Sequence, residues 1–276
     1  MNKNETVVVN ETADTEKRGR IILLSLLIAL SMFVVKMSQN WGVEDSWLSY
    51  LVAGIYMIFT FVGLMWAFSF QIKPKSIPCL AQSSLFVASE FLFIEMFFFS
   101  DIGRIYEALL LLGMLGVIWV VTYVSFLMSN IFNVGLYRDI PLEQVARTAS
   151  YILSLFMSYF LTFSILANGL ELYVLLPSVL IAYLAISAMH IRNLEFEKKD
   201  FRRRTMLTTV IMYVLFLGSF LIGARHELVS IVPTVGFFAS VGGMTKNFTE
   251  KESKRLLLIY GALILIVFII NVVNNL

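Results

Sequence analysis

The chain has 276 residues, 59% of them hydrophobic, with a mean hydropathy of +0.83 and a formal net charge of +2. Soluble domains run at roughly 45–50% apolar residues, so this chain holds too little polar sequence to cover a soluble globule of its size. Its single cysteine, Cys79, excludes an intrachain disulfide, and its two histidines, His190 and His226, accompany no Cys/His cluster that would suggest zinc.

In chain order, residues 1–20 are polar and read as a disordered cytoplasmic segment. Residues 21–276 read as a single transmembrane domain. A membrane-crossing helix needs roughly 20 mostly apolar residues. Nine runs qualify or come close: 21–37, 47–70, 77–99, 105–134, 148–167, 172–191, 206–223, 228–243 and 256–273. None alternates with period 2, so the runs are expected to be helices, not strands. The first run follows Lys17, Arg18 and Arg20, as a signal peptide would, but offers no small-x-small cleavage site and reads as a retained helix. Asp139, Pro141 and Glu143 form a helix-start pattern ahead of the fifth run. The eighth run is short and carries Pro233, so it either spans or re-enters. Gly236 and Ser240 give it small-xxx-small spacing, suited to close helix packing within the chain or in a homo-oligomer. The expected fold is all-α: a polytopic transmembrane bundle of about nine spans, or eight if residues 228–243 re-enter.

The basic residues orient this bundle. With a cytoplasmic N-terminus and nine spans, 18 of the 21 Lys and Arg residues fall inside and 3 fall outside, as the positive-inside rule requires. Lys36, Arg104 and Arg225 are the outer three. The expected location is a cell membrane, prokaryotic by default because no organelle signal is evident. Membrane lipids are the expected partners. The basic loop 192–204 is explained by orientation, and nothing supports nucleic-acid binding. No cofactor and no metal site is expected.

Sorted the same way, the acids leave the outer side net negative. Glu90 lies near the middle of the third run, and Glu95 lies five residues further out. An acid at the bilayer centre costs at least about 2.5 kcal/mol, so such a residue usually faces a bundle interior or a wet cavity. At 100° per residue the two carboxylates stand about 140° apart on the helix and do not form a side-by-side pair. The leading expectation is a small transporter-like or ligand-binding bundle. In it an outward-facing cavity lined by Glu90 and Glu95 binds a proton, a cation or a basic solute, with Arg104 as counter-ion. A structural role for Glu90, in which it hydrogen-bonds a Ser, Thr or Tyr of a neighbouring helix, competes with this.

Two other functions fit the composition. In one, an outer-face enzyme acts on a lipid-linked substrate, and Glu44, Asp45, Arg225, His226 and Glu227 converge to supply acid/base groups. In the other, the chain is a non-catalytic sensor, scaffold or assembly subunit, with no cavity reaching Glu90.

Overall fold

A backbone in lipid must satisfy its polar groups within its own segment, which favours helices wherever long apolar runs occur. In a computed structural model that describes residues 3–38, 46–97, 104–134, 142–194, 196–223, 225–244 and 250–273, the described residues form nine α-helices and no strand. They are α1 (Lys3–Ser38), α2 (Ser46–Ala67), α3 (Ile77–Phe97), α4 (Arg104–Val134), α5 (Leu142–Ala167), α6 (Leu172–Asn193), α7 (Lys198–Leu221), α8 (His226–Met244) and α9 (Glu250–Val273). The all-helical, membrane-type architecture expected from the apolar runs is the one observed.

Seven of these helices, α1 to α7, are long and apolar enough to cross a membrane. Among the described residues α9 shows a shorter apolar stretch, Gly261–Ile270, which lies within the apolar run 256–273 of the sequence. Helix α1 begins at Lys3, ahead of its apolar part. Extending an existing helix costs far less than nucleating one, and the apolar part of α1 supplies the nucleus. Helix α5 starts at Leu142, next to the helix-start residues read from the sequence.

The chain packs as two compact units, residues 1–150 and 151–276. In the first unit α3 packs on α2 and α4, and α1 packs on the same two helices. Helix α3 is the innermost: 72% of an 18-residue stretch within Pro74–Met96 is buried, against 33% within Glu16–Lys36, 28% within Trp47–Ala67 and 33% within Leu112–Asn133. A short 3-10 turn, Pro74–Ser76, leads into α3. The turn before it bends sharply, with Ser69 at φ 55° and Phe70 at φ 58°. Left-handed backbone costs an L-residue about 1–2 kcal/mol. Here it lets the Phe70 N–H reach the Met65 carbonyl at 2.8 Å and the Ser69 N–H reach the Trp66 carbonyl at 2.9 Å, closing the end of α2. Arg20 braces this turn, donating to Ser69 Oγ at 3.1 Å and lying 5.4 Å over the Trp66 ring.

In the second unit α7 packs on α6 and α8, and α8 packs on α9. Pro177 and Pro233 both stay inside continuous helices. Pro233 has no N–H to give the Val229 carbonyl four residues back. The Ser219 hydroxyl of α7 lies 3.5 Å from that carbonyl but donates to its own Phe216 carbonyl at 2.9 Å. Gly236 lets the helices approach closely, since a Cβ there would sit 2.5 Å from Leu215 Cδ1 and 3.6 Å from Ile211 Cγ2 of α7. The Gly236 face of α8 is therefore used within the unit. Ser240 returns its hydroxyl to the Phe237 carbonyl at 3.0 Å.

Candidate functional site

The acid singled out in the third apolar run lies at the heart of the first unit. Glu90 is 6% exposed, on the most buried helix, next to buried Phe91 and Leu92. Thr122 of α4 donates a hydrogen bond to Glu90 Oε2 at 3.0 Å. This is the neighbouring-helix hydroxyl contact that competes with a cavity reading, and the two are compatible, since a carboxylate has four acceptor positions and Thr122 uses one.

Thr122 opens a stripe. Thr122, Ser125, Ser129 and Asn133 follow at steps of three, four and four, so they share one face of α4. All four are buried. The stripe runs antiparallel to α3 and meets it at successive levels. Ser129 Oγ and Ser83 Oγ are 2.8 Å apart, and either can donate. Ser83 also reaches the Ser125 carbonyl at 2.9 Å, and Ser129 reaches the Cys79 carbonyl at 3.1 Å. At the far end Asn133 Oδ1 accepts from the Lys73 N–H at 3.0 Å and from the Ser76 hydroxyl at 2.9 Å. Its Nδ2 donates to the Gln71 carbonyl at 3.0 Å. One α4 side chain thus holds three points of the turn before α3.

Nearby, Gln82 donates to the Ser150 carbonyl at 2.8 Å, and the Ser150 hydroxyl donates to Gln82 Oε1 at 2.9 Å. This reciprocal pair has a fixed direction and fastens the start of α5 to α3. Ser84 and Ser89 turn back to their own helix carbonyls, Leu80 at 2.8 Å and Phe86 at 2.7 Å.

Beyond Glu90 in the other direction, Lys36 of α1 reaches the last turn of α3. Its Nζ donates to the Glu95 carbonyl at 3.2 Å and stands 3.9 Å from Glu95 Oε2. A cation there also complements the negative end of the α3 dipole. Lys36 was legible as one of three outer-side cations, but its pairing with Glu95 joins residues 59 apart, which no local pattern reveals. Arg104 opens α4, and its side chain lies outside the described structure.

The outer-face cluster is only partly described. Glu44 and Asp45 lie outside the described residues. Arg225, His226 and Glu227 are exposed at the start of α8, where the Arg225 carbonyl accepts from the Leu228 and Val229 N–H groups at 3.0 Å. His190 is buried at the end of α6, 5.6 Å from the Tyr151 ring and 5.5 Å from the Phe237 ring. Among the described residues no group of three or more His, Cys, Asp or Glu is placed to hold a metal ion. Comparison with protein-family models, curated proteins and solved structures finds no match for this chain.

Proposed function

We propose that the chain is a small transporter-like membrane protein whose first unit takes up a proton or small cation at Glu90 from the outer side. The observation that carries this reading is a carboxyl group buried midway along the innermost helix, facing a hydroxyl. Burying an ionisable group there is expensive, and a hydrogen bond to Thr122 alone needs no acid: a glutamine would accept it without that cost. The choice of an acid favours a group that changes its charge. The Lys36–Glu95 pair stands at the outer mouth and fits a gate or a first binding step. The same proposal includes nine spans, a cytoplasmic N-terminus and a prokaryotic cell membrane, on the strength of the Lys/Arg asymmetry.

The test is cation or proton uptake into proteoliposomes containing the full chain. Glu90→Gln keeps the shape and the hydrogen-bond acceptor but cannot ionise. It is expected to lower uptake by about tenfold or more, in the range lost when a proton-carrying side chain is removed. Uptake at the wild-type rate in Glu90→Gln would sink the assignment and leave Glu90 as a packing residue.

A further inference from the structure

Glu90 is one station on a longer polar lane, and the geometry of that lane bears on where a proton bound at Glu90 can go. From Ser76 to Glu95 the α3 axis advances about 28 Å at the helical rise. The hydrocarbon core of a bilayer is about 30 Å thick. Along that length polar groups recur at every turn or two: Lys36 with Glu95, Thr122 with Glu90, Ser129 with Ser83, and Asn133 with Ser76.

Two features separate this lane from ordinary polar glue between helices. The first is the Ser83–Ser129 pair, which has two self-consistent directions. Ser129 can donate to Ser83 while Ser83 donates to the Ser125 carbonyl. Alternatively, Ser83 can donate to Ser129 while Ser129 donates to the Cys79 carbonyl. Each hydroxyl carries one proton, so the two directions exclude each other and both end on a carbonyl. A pair with two such states can pass a proton and reset. The Gln82–Ser150 clamp beside it cannot.

The second feature is the break between Glu90 and Ser83. Ser125 lies on the stripe between Thr122 and Ser129, is fully buried, and its hydroxyl has no hydrogen-bond partner. Thr60 of α2 shares this property. With Tyr56 of α2 against Phe91 at 4.9 Å between ring centroids, antiparallel register puts Thr60, one turn on, level with about residue 87 of α3. Ser125, one turn on from Thr122, falls at the same level. Ser125, a buried hydroxyl without a partner at the gap in a hydrogen-bonded lane, has a donor and an acceptor to spare for a bound water, and Thr60 offers the same at this level on α2.

We propose that this level of the first unit binds water, and that the water joins Glu90 to the Ser83–Ser129 pair as a proton relay toward the turn before α3. The relay rests on the reading of Glu90 as a site of proton uptake. In each passage the Glu90 O–H bond breaks as an O–H bond forms to the water. That water releases another of its protons to the Ser83 oxygen, Ser83 passes its own proton to Ser129, and Ser129 gives its proton to a solvent water at the turn before α3, so each serine keeps one proton and no electrons are transferred. The lane favours a proton over a metal cation because Glu90 is its one carboxylate between Ser76 and Glu95 and its hydroxyls bond each other. Among the described residues the other charged or titratable groups along this stretch include Cys79 and Glu95 of α3, Lys36 of α1 and Tyr56 of α2, while the α4 stripe supplies hydroxyls and an amide.

The experiment compares proton flux in proteoliposomes with carbodiimide labelling of Glu90, read by mass spectrometry on the full chain. Ser83→Ala with Ser129→Ala is expected to lower flux by about tenfold or more, while Ser83→Thr with Ser129→Thr, which keeps both hydroxyls, restores it. Glu90 labelling should persist in both. Ser125→Ala breaks no side-chain bond, so it tests the water site without a folding penalty and should lower flux several-fold. Wild-type flux in Ser125→Ala and in the double alanine variant, with flux lost in Glu90→Gln, would overturn the relay and leave the Glu90 reading intact. Flux no higher than in empty vesicles, or undiminished in Glu90→Gln, would overturn both.

Discussion

The residue that organises the first unit is an acid within a run of apolar side chains, and that much is visible without a structure. Its surroundings are not. Thr122, Ser125, Ser129 and Asn133 sit in an otherwise apolar run, and their three-four-four spacing marks one helix face. The signal was present in the sequence, but which helix that face meets depends on the fold. Lys36 is the clearer case. Charge counting places it on the outer side, together with Arg104, the expected counter-ion, whose side chain lies outside the described structure. The structure pairs Lys36 with Glu95 across α1 and α3. Both side chains are partly exposed, so the pair is expected to contribute only about 1 kcal/mol or less. Lys36→Met should cost about that much in detergent-solubilised thermal unfolding, and adding Glu95→Gln should cost little more, because the two act together. Additive losses would show that the pair does not interact.

At the level of elements, run length and apolarity were enough to assign helices, since a lipid-exposed backbone has few alternatives. The helix start near Pro141 and Glu143 was local chemistry and was readable as such. The turn before α3 was not. Its left-handed Ser69 and Phe70 carry none of the glycine that usually marks such a bend. It holds its shape through Arg20 on one side and Asn133 on the other, residues distant in the chain. Asn133→Ala removes the bonds to the Lys73 N–H and the Gln71 carbonyl and its share of the Ser76 hydroxyl, which keeps the Lys73 carbonyl at 2.7 Å. Hydrogen bonds between membrane helices average about 0.6 kcal/mol each, so the loss should be about 2 kcal/mol. Thermal unfolding in detergent would measure it, and limited proteolysis near Lys73 and Lys75 should accelerate in parallel. A variant as stable and as resistant as wild type would mean the turn is held by α2 and α3 alone. The same logic explains Gly236. Its spacing with Ser240 suggested a packing face, but only the position of Leu215 shows that α7 occupies it.

For the whole molecule, composition and Lys/Arg placement led to a membrane protein with a sidedness, and the helices observed agree with the first part. The division into two compact units, with its boundary inside α5, left no mark in the sequence: there is no linker, no composition change and no repeat at that point. The first unit concentrates the chemistry, placing Glu90 on the most buried of the candidate spans. Whether that acid exchanges protons with the outer medium decides between a transporter-like protein and a passive bundle. The most direct measurement is infrared difference spectroscopy on wild-type and Glu90→Gln proteoliposomes while the outer pH is stepped. A carboxyl C=O band that follows the outer pH in wild type and is missing from Glu90→Gln is the expected result. Identical difference spectra from the two proteins would contradict it, because Glu90 would then keep one protonation state throughout.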